Sequence, residues 1–138
     1  MLEWFFSSLY KIITKKIVMK YFNKKKVDIR GSLSHGSDCS IDINVIIEGN
    51  VVLGDNVLIG SNCIIKDSFI GNNSVIKPFT HIEESIVDEQ CNIGPYANLR
   101  KGSKIDRDSS IGNFVEIKQS HIGCNCKINH LSFIGDSI

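Results

Sequence analysis

The sequence predicts an all-β protein: a parallel β-solenoid of hexapeptide repeats, five to six triangular coils tall, led by a short basic amphipathic α-helix. Three observations predict it. First, Ile, Leu or Val occupies seventeen successive positions: 41, 47, 53, 59, 65, 70, 76, 82, 87, 93, 99, 105, 111, 117, 122, 128 and 134. Fourteen of these are Ile, most of the 23 Ile in a chain of 138 residues. Second, the residue two places before each of them is small, from Cys39, Val45 and Val51 through Ser103 and Ser109 to Cys126 and Ser132. Third, the step is six residues except at 65→70, 82→87 and 117→122, where it is five, and counting in threes puts all the short steps on one face.

A period of six matches neither the 3.6 of a helix nor the 2 of a simple strand, but it suits a short strand followed by a tight turn. Three such units close a coil of about eighteen residues, each strand pairing one coil up and one coil down at roughly 4.8 Å. One aliphatic side chain per unit fills the prism, and the small residue sits near a corner where bulk would clash. Gly follows the aliphatic residue at 54, 60, 71, 94, 112, 123 and 135, where it is expected to ease the corner backbone. Ile29 and His35 extend the register backward. Residues 1–26 form an arm and linker, and residues 27–138 form the solenoid, whose C-terminal end is expected to be incomplete at Ile138.

Within the arm, residues 3–22 alternate large apolar side chains with Lys11, Lys15, Lys16 and Lys20, and positions 6, 9/10, 13, 17 and 21 follow helical spacing. The favoured role of this helix is packing on its own or a neighbouring subunit; contact with a membrane surface is the less favoured one. Asn23 to Lys26 reads as a polar linker. No small-residue cleavage site marks a secretory leader. Before the repeats the longest uncharged stretch is Trp4–Tyr10, too short to span a bilayer.

The net charge of +1 hides an asymmetry: residues 1–27 carry seven Lys and one Glu, the rest nine basic and fourteen acidic residues. A basic arm therefore leads an acidic body, and no nucleic-acid partner is expected for that body. Five Cys without a targeting signal argue against a disulfide framework and for a cytoplasmic protein. Cys39, Cys63, Cys91 and Cys126 are the small residue of a repeat unit, and only Cys124 lies outside that register. No regular coil spacing relates three of His35, His81, His121 and His130, so no metal site is expected.

The repeat also stacks outward residues. Lys66, Glu83, Arg100 and Lys118 each directly follow the aliphatic residue of the same face. Arg100 and Lys118 are eighteen apart, one full coil, and should lie about 5 Å apart. Two adjacent cations repel unless something anionic lies between them, so the pair reads either as a phosphate clamp or as a solvated edge partnered by Glu83 and Glu116. His130, in the next coil, is a lone imidazole among Asp, Asn, Ser and Lys, either structural or a general base.

The runs IGPYANLRKGSKI (93–105), IGNFVEIKQSHIG (111–123) and KINHLSFIGD (127–136), with VDIRGSLSHG (27–36) and INVIIEGNVVLG (43–54) upstream, closely resemble one family. It is the C-terminal half of the bifunctional bacterial N-acetylglucosamine-1-phosphate uridylyltransferase / glucosamine-1-phosphate N-acetyltransferases. The resemblance implies a left-handed β-helix, a homotrimer, and acetyl transfer from acetyl-CoA to the amine of glucosamine 1-phosphate on the route to UDP-N-acetylglucosamine and the cell wall. It implies His130 as general base, and Arg100 and Lys118 as holders of the sugar phosphate. Proximity in the motif suggests that Glu116 orients His130. The family's substrate-binding Tyr is Phe133 here, so one hydroxyl contact is lost. The uridylyltransferase half is not expected in this chain, most acetyl-CoA contacts are expected beyond Ile138, and residues 9–26 would suit the remnant of the family's linking helix. The alternatives are a catalytically incompetent remnant or structural solenoid subunit and, more weakly, a different hexapeptide acyltransferase or a zinc-dependent hydratase.

Overall fold

The computed structural model describes residues 19–138. Among these residues sixteen short strands, all paired in parallel, form one continuous sheet wound into a triangular prism. The first face stacks strands Met19–Tyr21, Cys39–Ile41, Leu58–Ile59, Val75–Ile76 and Asn92–Ile93, then the start of Ser110–Lys118. The second face stacks Ile64–Lys66, His81–Glu83 and Asn98–Leu99 below the end of Ser110–Lys118. The third stacks Phe69–Ile70, Ile86–Val87, Lys104–Ile105 and His121–Ile122. Pairing offsets are eighteen or seventeen residues, as in Asn98 with Glu116 and Ser110 with Lys127, except for the first strand, where Met19 meets Cys39. The fold is therefore the expected solenoid, and the short steps fall at one corner, turned by Asp67, Glu84 and Gln119.

The aliphatic register is the core. Fifteen of the seventeen positions are buried, from Ile41 to Ile122. Ile128 and Ile134, in the last strand, pack partly against them. The small register is buried too, apart from half-buried Cys126 and Ser132, and several of its hydroxyls and thiols donate to main-chain carbonyls one coil on: Ser74 Oγ to Asp88 O at 2.8 Å, Ser109 Oγ to Gly123 O at 2.8 Å, Cys63 Sγ to Lys77 O at 3.1 Å; the buried Thr80 hydroxyl has no such partner. Where its one donor is satisfied in this way, a polar side chain is tolerated at the buried corner. Ile29 and His35 pair with Ile47 and Leu53, so the register does extend backward.

Two expectations change. Met19–Tyr21, inside the stretch read as helical, is a strand that pairs with Cys39–Ile41. Met19 takes the small-residue place and Tyr21 the aliphatic place, and both pack against the core, covering the edge of the first coil. Lys24–Lys26 is a single 3-10 turn capped by Asn23, whose side chain accepts from Lys25 N at 3.2 Å. The rest of the expected helix lies outside the described residues.

The second change concerns the glycines after the aliphatic residues. Of the seven, only Gly94 has positive φ. The left-handed residue comes one or two places later and is mostly not Gly: sixteen non-Gly residues hold it, among them Asn44, Asn56, Asn62 and Phe79. The glycine serves close approach instead: at Gly71 an added Cβ would lie 2.6 Å from backbone atoms of Asp88 and Glu89.

Candidate active site

The second face carries two outward columns. One runs Glu48, Lys66, Glu83 and then Arg100, whose N–H bonds Ile117 O at 2.8 Å, and ends at Lys118 and Gly135. Charge alternates up to Arg100 and then repeats its sign at Lys118. The adjacency of these two cations, expected from their spacing, follows from the pairing of Leu99 with Ile117. The second column runs His81, Asn98, Glu116 and Phe133. At the corner beside these columns a cavity of about 240 Å³ is lined by Glu83, Glu84, Arg100, Lys101, Lys118 and Gln119.

One ion pair links the columns, one runs along the first of them and one lies beside it. Arg100 Nη1 lies 3.0 Å from Glu116 Oε1, Lys101 Nζ 3.2 Å from Glu84 Oε2, and Lys66 Nζ 3.4 Å from Glu83 Oε1. The Glu83 hydrogen bond pushes the Lys66 ammonium above its ordinary value. Glu83 thus belongs to Lys66, and Glu116 is the anion that steadies Arg100. Lys118 has no ion-pair partner among the described residues. An anion arriving at this corner would meet a free ammonium and a guanidinium held from one side, with several N–H groups to spare.

His130 lies in the strand Lys127–Gly135, opposite Asn113, exposed and at the edge of the same face. Its neighbour Leu131 turns the corner with φ 50°. Phe133 sits directly above Glu116 and is 62% exposed. Arg100, Glu116, Lys118 and Phe133 therefore share one outer surface across three consecutive coils. The hydrogen bond that Glu116 makes goes to Arg100, and none joins it to His130.

Sequence reasoning missed the corner next to His130. Phe79, Tyr96 and Phe114 stack there with ring centroids 5.0 and 5.3 Å apart, all at positive φ and about half exposed. Leu131 continues their column in the last coil. The signal was available: each aromatic stands three places after an aliphatic residue, where other units carry Asn44, Asn56, Asn62, Asn73, Asp108 and Asn125.

Residues 29–105, more than half of the chain, match the family described as GMPPB C-terminal domain. The chain belongs to that family. It is also 50% identical over 112 residues to the Bifunctional protein GlmU of Chromobacterium violaceum, a match covering 81% of this chain and 25% of that protein. The chain thus spans a quarter of that relative's length, and the resemblance read in its motifs is a true relationship. Among solved structures, the acetyltransferase domain of PglB from Neisseria gonorrhoeae superposes with a TM-score of 0.67 at 15% identity, covering 91% of this chain and 58% of that one. AntD, an N-acyltransferase from Bacillus cereus, superposes with a TM-score of 0.64 at 15% identity, covering 92% and 82%. These likenesses carry the fold, the left-handed parallel β-helix of hexapeptide acetyltransferases.

Proposed function

We propose that this chain transfers an acetyl group from acetyl-CoA to the amine of glucosamine 1-phosphate, supplying UDP-N-acetylglucosamine synthesis in the cytoplasm, and that it works as a homotrimer. The observation that carries this reading is the like-charged pair Arg100 and Lys118, stacked one coil apart on the face that His130 borders, in a chain 50% identical to GlmU over 112 residues. A PglB acetyltransferase domain of the same fold was solved in complex with acetyl coenzyme A, which supports the acyl donor.

In this reading Lys118 and Arg100 hold the sugar phosphate, with Glu116 fixing the guanidinium so that its remaining N–H groups point outward. The anion between the cations removes their mutual repulsion. His130, with one imidazole nitrogen free to accept, takes the proton from the substrate amine as its nitrogen attacks the thioester carbonyl. The carbon–sulfur bond then breaks, and the proton held by His130 passes to the leaving sulfur, so CoA departs as the free thiol. Phe133 offers a ring where the relatives' motif has a phenol, so it contacts the sugar by surface alone.

The test is acetyl-CoA turnover with glucosamine 1-phosphate, followed as free thiol. His130→Ala should lower turnover by about 100- to 10,000-fold, the usual weight of a general base. Arg100→Ala should raise KM for the sugar phosphate with kcat little changed, because a phosphate contact acts in ground and transition states alike. An unchanged KM in that variant, or turnover that survives loss of His130, would overturn the assignment.

A further inference from the structure

We infer that the N-terminal end of the solenoid is a docking surface for an anionic membrane leaflet. Met19 and Tyr21 turn inward onto the core, which leaves Lys20 exposed between them, and Phe22 follows with 62% of its surface open. Lys20 Nζ lies 5.1 Å from the Phe22 ring centre and Lys24 Nζ 5.9 Å from that of Tyr21. Lys24, Lys25 and Lys26 then make one exposed turn. Among the described residues none of these four lysines forms an ion pair, and Asp28, the nearest acid along the chain, is held by Arg30 at 2.7 Å. The preceding sequence adds Lys11, Lys15 and Lys16 with Trp4, Phe5, Phe6 and Tyr10, against Glu3 alone.

Lysines interleaved with aromatic residues, with Phe22 exposed, suit a headgroup layer, where ammonium groups meet lipid phosphates and a ring enters the acyl boundary. The charge balance selects the orientation. Residues 28–138 carry nine basic and fourteen acidic residues, so an anionic surface is drawn to this end more strongly than to the body as a whole. The patch lies six coils below His130, roughly 29 Å along the axis, so end-on docking leaves the candidate active site well away from the lipid. The same acidic body makes a second copy the competing occupant, and the experiment separates the two.

The full chain is to be sedimented with phosphatidylcholine vesicles, with and without about 30 mol% phosphatidylserine, at about 0.1 M and 0.5 M salt. Binding is expected only to the anionic vesicles and should weaken at high salt. Lys24→Gln, Lys25→Gln and Lys26→Gln together should lower the partition coefficient about 100-fold. These side chains are exposed, so an unchanged circular dichroism spectrum should show the fold intact; Phe22→Ser is a second variant expected to weaken binding. The inference is overturned if the chain ignores anionic vesicles, binds neutral ones equally, or keeps its affinity in the triple variant. It is equally overturned if the triple variant loses self-association on a sizing column while the parent chain ignores vesicles, since the patch then belongs to a second copy.

Discussion

Cys63 and Ser74 hold equivalent places in their repeat units, and each donates to a carbonyl fourteen residues on. They differ in what alkali does to them. Burial pushes the Cys63 thiol from its ordinary 9.0 up to about 11, and burial also raises Cys39 and Cys91. Because the unfolded chain releases this proton first, the thiol's contribution is complete below pH 9 and is lost as pH rises toward 11. Unfolding free energy should fall by about 1.4 kcal/mol per pH unit for Cys63 across that interval. Cys63→Ser should keep the hydrogen bond and flatten the slope, as denaturant titrations at stepped pH would show. Exposed Cys124 should react with a thiol reagent in the native state, while Cys39, Cys63 and Cys91 should wait for unfolding. Legibility at this scale was uneven. The position of Lys118 beside Arg100 could be read from a spacing of eighteen, whereas the reach of Glu116 to Arg100, sixteen apart, depends on two long side chains leaning across columns.

At the scale of the element, the corner was only half visible in the sequence. The strands announce themselves because one aliphatic residue recurs at a fixed step. The left-handed residue does not, since Asn, Asp, Gln, Glu, Phe, Tyr and Leu all occupy it and share no side-chain property. Glycine is conspicuous and drew the reading to the wrong backbone position. Gly71 and Gly123 separate the two explanations: they occupy the same place on the same face, yet an added Cβ meets the backbone of Asp88 and Glu89 at 2.6 Å in one and nothing within 4 Å in the other. Gly71→Ala should therefore cost about 3 kcal/mol, and Gly123→Ala less than about 0.5 kcal/mol, in chemical denaturation. If conformational freedom were the reason for glycine here, both would cost the same. Met19–Tyr21 was misread for a related reason: its side chains continue a helical spacing, and only the bare edge of the coil above them dictates a strand.

Across the whole molecule, contacts run between adjacent coils, so stability is close to a sum over coils and the interfaces between them. Ile93→Ala would empty part of one layer and should cost about 2–5 kcal/mol. Its effect on hydrogen exchange should be strongest in the coils that touch that layer, Val75–Ile76 and Ser110–Ile111, and should fade beyond them. The prism was legible as a whole because its repeat is global; the ends were not, because they obey no repeat. A lap of seventeen or eighteen residues also restricts how such a chain can change length. One residue inserted between Lys101 and Lys118 would carry Lys118 away from its place above Arg100 and shift every later side chain by a notch around the axis. A duplicated lap elsewhere would leave the pair together and merely lengthen the column. Descendants of this molecule should therefore differ in height by complete storeys, with the grip at 100 and 118 copied intact.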